Sequence, residues 1–409
     1  MSEAKASGKG ALAGIRVLDV AHQYSGALTA SLLADLGATV VNIEHPQGSP
    51  IRTMLPKRDN ESLWWKAVQR SKTNITLNLS SPRGRELFLS MVKDFDFLIE
   101  NFRPGTMERW KLGPADLEAA GANLSMLRIS GFGQTGPMRD LPGFGTIAEA
   151  MSGFANLNGF PDGPPVFPST TLADGVASVF GAFGVLAAHI ARLREKKPGV
   201  EVVDVALFEG IFRLIPTQVL SQDQLGVTPS RPGNFLSTHG VLRNLYLTRD
   251  QRYLCVSAVG PQAIRRIILA AKATELVARI DAGVMNELPA VVEPFLVACN
   301  VILTEWATAH TYDELAQMLS EAGAVFNRVY DTKDIVADPH YQARGDLVRV
   351  PDKDFGSILM QGIVPKFPGR EHSISHAGQS RGADNLTFFR DRLGLSEDAI
   401  QSLKADGVI

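Results

Sequence analysis

The chain has 409 residues, 45% of them hydrophobic and 21% charged, with a net charge of -2. That length buries a full core and suggests two domains or one large one. The near-neutral, interspersed charge offers no basic stripe for nucleic acid and no polybasic patch for a membrane surface, which leaves small molecules as the expected partners.

The start, MSEAKASGKGA, is polar and small, has no apolar core of a secretory signal, and reads as a loose tail. Arg16 to Val20 reads as a buried strand, Gly26 to Gly37 as a helix and Thr39 to Glu44 as a second strand, an expected parallel pair with a right-handed crossover. Glu44 ends that strand where a nucleotide fold would hold a ribose, but the first turn, AHQYSG, has no glycine triplet. The alternation continues with NITLNL as strand, Ser81 to Asp94 as helix, DFLIEN as strand, Ala115 to Ala120 as a short helix and MLRIS as strand. Such alternation predicts an α/β fold with an open, helix-flanked parallel sheet.

GFGQTG at 131–136 matches G-x-G-x-x-G and follows a strand. The dinucleotide fingerprint needs a helix to open at once, whereas Pro137 and then Pro142 follow, so an irregular loop is expected. From Thr171 to Leu193 runs a helix rich in alanine, glycine and valine, whose small residues predict close packing on a helix or a subunit. Its apolar core, Val176 to Ala191, is too short to span a bilayer, so no transmembrane helix is expected.

The texture changes near 226. A TPSRPGN entry, a strand pair around an Arg249-Asp250 turn and amphipathic helices suggest a smaller domain over 226–330, with 1–225 and 331–409 as the two parts of the larger one. Ser396 to Lys404 reads as a final helix closed by Asp406-Gly407.

Gly378 to Gly382 matches G-x-S-x-G, but no buried strand precedes it, so a surface loop is the expectation. His22, His45 and His189 lack partners at metal-binding spacing, and Cys255 and Cys299 lie in apolar stretches as in a reduced cytosolic protein. Asp174 stands at the first turn of the long apolar helix. It is either a carboxylate capping helix amides or one kept ionised and competent as a nucleophile, and sequence position leaves both open.

Taken together, GIRVLDVAHQYSG, LLADLGATVVNIEHPQGSPIR, RSKTNITLNLSSPRGREL, IENFRPGTMERWKLG, RISGFGQTGP, FPDGPPVFPSTTLADGVAS, VVDVALFEG and DIVADPHYQARG resemble, in order and spacing, the class III CoA-transferase family. That family includes formyl-CoA transferase, carnitine CoA-transferase and, by kinship, alpha-methylacyl-CoA racemase. The resemblance implies a Rossmann-like large domain, a smaller α/β domain and two interlinked subunits, with GFGQTGP as a family loop rather than a nucleotide cradle. It implies that Asp174 attacks a donor acyl-CoA thioester and becomes an aspartyl-CoA thioester, with coenzyme A as substrate and no permanently bound cofactor or metal. Succinyl-CoA or a similar cytosolic thioester is the implied donor, and the implied location is the cytoplasm.

By the same resemblance Tyr24, Ser25, His45, Arg52, Lys72, Asn101, Phe102 and Arg109 hold CoA, while Gly145 and Glu149 fall on the substrate side. This chain departs from the family in having Glu149 where many transferases have glutamine, Tyr24 where many have another polar residue, and only Gly233 and Gly240 in the expected lid. Arg231 and Arg243 hint at a second acceptor carboxylate. Three rivals remain: a racemase, disfavoured because Phe144 stands where such relatives have histidine; a non-catalytic CoA-binding partner of a related second subunit, disfavoured by Asp174; and a dinucleotide oxidoreductase, disfavoured by the missing glycines.

Overall fold

In the computed structural model, which describes residues 10–235 and 241–409, the chain divides into two compact units. The larger comprises the chain through Phe154, Phe167–Leu225 and His340–Ile409; the smaller comprises Ala155–Val166 and Gly226–Pro339. The smaller unit thus runs nine residues beyond the expected boundary at 330 and also takes in 155–166, a segment remote in sequence from the rest of it.

The larger unit is built on six strands: β1 (Arg16–Asp19), β2 (Thr39–Glu44), β3 (Thr73–Thr76), β4 (Phe97–Glu100), β5 (Ser125–Ser130) and β6 (Glu201–Ala206). They lie in the order β3-β2-β1-β4-β5-β6, every neighbouring pair parallel. Parallel strands need crossovers, which the intervening helices supply. Alternating side chains face two apolar layers, as a sheet covered on both sides requires. Leu18, Val41, Leu98 and Met126 join Phe88, Met91, Phe389 and Leu403 on one face. Val17, Val40, Phe97, Ile99 and Leu127 join Leu33, Ala173, Ala177 and Val185 on the other.

The chain's last residues complete the first layer and cover the β3 edge, which would otherwise expose unpaired backbone. Asp384 Oδ2 accepts from the Asn74 amide at 2.7 Å, Asn385 Oδ1 from the Thr76 amide at 2.8 Å, and the Val408 carbonyl from the Asn78 amide at 2.7 Å.

Three helices shape the ground around the sheet's carboxyl edge: α1 (Tyr24–Asp35), α2 (Gly145–Met151) and α3 (Leu172–Glu195). The small residues of α3 do pack closely. A Cβ on Gly181 would stand 2.8 Å from Leu127 Cδ2, and Ser178 Oγ donates to the Ser25 carbonyl of α1 at 2.8 Å. At 24 residues α3 is longer than its apolar core suggested, and both it and the helix Pro289–Ala309 are long and apolar enough to cross a membrane by length and composition. One face of α3, with Ala173, Ala177, Gly181 and Val185, is buried against the sheet and α1, while Val179, Phe183, Ile190 and Leu193 are exposed.

The smaller unit carries a three-stranded antiparallel sheet, Phe326–Arg328 beside Tyr253–Val259 beside Val241–Leu247, with the expected turn after Thr248. Its helices bury Ile264, Ile267, Phe295, Leu296 and Leu315 against that sheet. Within it Arg231 donates to Asn156 Oδ1 at 3.2 Å. Gly240, one of the two expected lid glycines, lies outside the described residues.

Neither glycine motif is a cradle or an elbow. After Ser130 no helix opens until Gly145. The GFGQTG loop instead folds back so tightly that a Cβ on Gly131 would meet the Gly143 Cα at 2.8 Å, and Asp204 Oδ2 accepts from the Gln134 amide at 2.9 Å. Gly378 lies on the Trp65 backbone, where a Cβ would come within 2.4 Å of its carbonyl oxygen, in a strap whose Gln379 carbonyl accepts from Trp65 Nε1 at 2.8 Å.

Candidate active site

Strand order reverses at β1, whose neighbours β2 and β4 send the chain to opposite sides. In open α/β sheets the crevice beyond the strand ends at such a point is where ligands bind. Here the two turns that meet there are tied by one side chain. Asn101, the first residue after β4, accepts the His22 amide at 3.0 Å on Oδ1 and donates from Nδ2 to the Gln23 carbonyl at 3.1 Å and Ser25 Oγ at 3.3 Å.

Two clefts open on this crevice. One, of about 340 Å³, has Ser25, Asn101, Arg103, Phe144 and Asp174 among its walls. The other, of about 220 Å³, lies at the ends of β1, β2 and β3 and includes Asn42, Glu44, His45 and Trp110. His22 and Phe102 line both, their rings stacked 4.8 Å apart and 9° from parallel, with Trp110 edge-on to Phe102 at 4.9 Å. The stack therefore stands between the two clefts.

Asp174 sits in the first turn of α3, where its carboxylate accepts from its own backbone amide. The Ala173 amide of that turn donates to Glu149 Oε1 at 3.2 Å, both residues being buried. The Asp174 carboxylate lines the larger cleft, lying against Gly145 at the start of α2. Burial, and secondly the charge of Glu149, push its pKa up from 3.8 to about 6. It remains mostly ionised at neutral pH and more basic than an ordinary aspartate. Tyr24, at the start of α1, rests edge-on against Trp64 at 4.9 Å, and burial raises its phenol, with the Asp174 charge adding to that.

Of the residues expected around CoA, Ser25, Asn101, Phe102 and His45 line the clefts. Arg109 is exposed beside them, its Nη2 donating to the cleft residue Thr106 at 2.7 Å. Two cations are engaged elsewhere. Lys72 is sealed in the core, donating to Asp19 Oδ2 at 2.8 Å and the Ala27 carbonyl at 2.7 Å with neither charged side chain exposed, so no phosphate can reach it. Arg52 forks onto Glu44, donates to the Gln379 carbonyl at 3.1 Å and lies 3.6 Å above the Trp65 ring, so its guanidinium is already engaged by protein partners.

Sequence reading passed over His22, weighed only as a metal ligand, and the carboxylate-capping role of Glu149. The signal for the first was its place in the β1–α1 turn; for the second nothing local could have served, since its partner is 24 residues away. Among the described residues no cluster of three metal-binding side chains occurs.

The chain is 35% identical over 97% of its length to succinyl-CoA–D-citramalate CoA-transferase of Chloroflexus aurantiacus, covering 97% of that protein. It is 33% identical over 97% to the beta subunit of succinyl-CoA–L-malate CoA-transferase from the same organism, covering 98% of it. A crystal structure of a CAIB/BAIF family protein from Brucella suis superposes with a TM-score of 0.80 at 23% identity, over 93% of this chain and 99% of that one. Residues 12–385 match CoA-transferase family III, and the chain is an enzyme of that family.

Proposed function

We propose that the enzyme carries CoA from a succinyl-CoA-type donor to a carboxylic acid through a thioester on Asp174. The observation that carries this reading is the Asp174 carboxylate lining the switch-point cleft, beside a Glu149 that takes the neighbouring Ala173 amide. The carboxylate oxygen attacks the donor thioester carbonyl and expels CoA thiolate, leaving a mixed anhydride. The thiolate then attacks the aspartyl carbonyl, releasing the donor acid and forming the aspartyl-CoA thioester. The acceptor carboxylate attacks that thioester, expelling the thiolate again, and the thiolate takes the acceptor's acyl group from the second anhydride to restore Asp174. Holding thioester and carboxylate together supplies effective concentration, and amides of the surrounding turns are suited to the developing oxyanions.

Succinyl-CoA as donor is supported by the names of the two Chloroflexus relatives. Phe102 and His22, with Ser25 and Asn101, are the proposed CoA-binding wall, His45 and Arg109 its polar rim, and Tyr24, Gly145 and Glu149 the surroundings of the reacting carboxylate. We extend the reading to an interlinked dimer. It is supported by the exposed apolar residues Val179, Phe183, Ile190 and Leu193 along α3, and by one relative's name as the beta subunit of a two-subunit enzyme.

Intact-protein mass spectrometry after incubation with succinyl-CoA tests the reading. A hydroxylamine-sensitive CoA adduct on the wild type, absent from Asp174→Ala, is expected; equal adduct on the variant, or none on a wild type that binds CoA, would refute it.

A further inference from the structure

The loop that carries Asn101, Phe102 and Arg103 leaves β4 after Glu100 and closes in the single helical turn Thr106–Arg109. Both ends of that loop are held by one side chain from the neighbouring strand. Arg128 lies in cross-strand register with Glu100. Its Nε donates to Glu100 Oε1 at 2.7 Å, while Nη1 and Nη2 donate to Glu108 Oε1 at 2.7 Å and Oε2 at 3.1 Å. Glu100 uses its other oxygen to accept the Phe102 amide at 2.7 Å. The planar fork of a guanidinium serves two carboxylates at once, as an ammonium cannot.

Neither Arg128 nor Glu100 belongs to the walls of the clefts, and they are 6% and 1% exposed. Burying an arginine between two carboxylates is a costly arrangement for stability alone, since apolar side chains of the same volume do as well or better. What it provides here is geometry: the Phe102 backbone is fixed from below by Glu100, and Arg109 directly follows the clamped Glu108.

We infer that Arg128 is a positioning residue for CoA binding: by clasping Glu100 to Glu108 it holds Phe102 and Arg109 at the lip of the clefts. The inference rests on the CoA-transfer reading for the identity of the ligand. It assigns the clasp to affinity for the CoA moiety and not to the chemistry at Asp174, because the clasp's hydrogen bonds run to the Phe102 amide and among Arg128, Glu100 and Glu108.

The informative variants are Glu108→Gln and Arg128→Lys. The Glu108 side chain is 43% exposed, so the glutamine strands no buried charge, and the lysine keeps a cation beside Glu100. The dissociation constant of CoA by calorimetry, the succinyl-CoA concentration giving half-maximal adduct formation, the rate at saturation and the thermal midpoint are measured for both variants and the wild type. Both variants are expected to bind CoA about tenfold more weakly and to need correspondingly more donor, with the saturated rate within about twofold and melting within a few degrees. Unchanged CoA affinity in either folded variant, or a fall in saturated rate at unchanged affinity, overturns the clasp. A wild type that binds CoA but forms no adduct refutes the transfer reading while the dissociation constants still decide the clasp. A wild type that binds no CoA overturns both.

Discussion

A Cβ placed on Gly145 would stand 2.1 Å from Oδ2 of Asp174, so the carboxylate occupies space that any other residue at 145 would fill. The glycine is thus part of how Asp174 is aimed. Gly145→Ala should leave the sheet intact but push the carboxylate out of line. Displacements of about 1 Å at a reacting group cost on the order of a hundredfold, and the rate of adduct formation from succinyl-CoA should fall by that order with CoA affinity little changed. Adduct formation at the wild-type rate would show that the seat is unimportant.

Adduct formation should follow the ionisation of Asp174, rising through a midpoint near pH 6 and levelling off above it. Glu149→Gln keeps an oxygen for the Ala173 amide but removes the second-largest cause of the raised pKa. The acidic limb of the rate profile should therefore move to lower pH. A profile unmoved by this substitution would mean that the Glu149 charge is not felt at the site.

The same shift has a stability consequence. Between pH 4 and 6 the folded protein holds a proton on Asp174 that the unfolded chain, with its carboxyl near 3.8, has released. Stability from this group is therefore present below pH 4 and lost as pH rises to 6 and above. Two units or so at about 1.4 kcal/mol each give roughly 3 kcal/mol. Asp174→Asn should raise the denaturant midpoint at pH 7.5 by an amount that vanishes at about pH 4; equal stabilisation at both pH values would contradict the assignment.

Removing Lys72 should damage the fold rather than the ligand site. Lys72→Met leaves Asp19 buried without its partner, which costs on the order of 3–5 kcal/mol. Urea unfolding should show that loss, and any protein that remains folded should bind CoA normally. A stable variant with CoA affinity reduced would restore the phosphate-ligand expectation.

The alternation of short strands and helices made the larger unit legible, because a strand covered on both faces reads as an unbroken apolar run such as Val17-Leu18 or Phe97-Leu98-Ile99. The cleft residues Ser25, Asn101 and Phe102 were reached through the family resemblance of AHQYSG and IENFRPG, and the structure places all three on the cleft walls. The CoA expectation for Lys72 and Arg52 does not survive because a cation next to a strand end looks the same in sequence whether it meets a phosphate or a carboxylate 53 or 8 residues away. The Arg128 clasp was illegible for a similar reason: its partners lie on another strand and another turn. Covering of the β3 edge by residues near 385, over 300 positions distant, left no local trace at all.

The most direct test of the central claim is to map the modified residue. Wild-type protein is incubated with succinyl-CoA, treated with hydroxylamine and digested, and the peptides are sequenced by tandem mass spectrometry. The account predicts a hydroxamate on Asp174 and nowhere else, formed only when donor is present. A hydroxamate on another carboxylate, or an unmodified Asp174 in protein that has turned over donor, would contradict it.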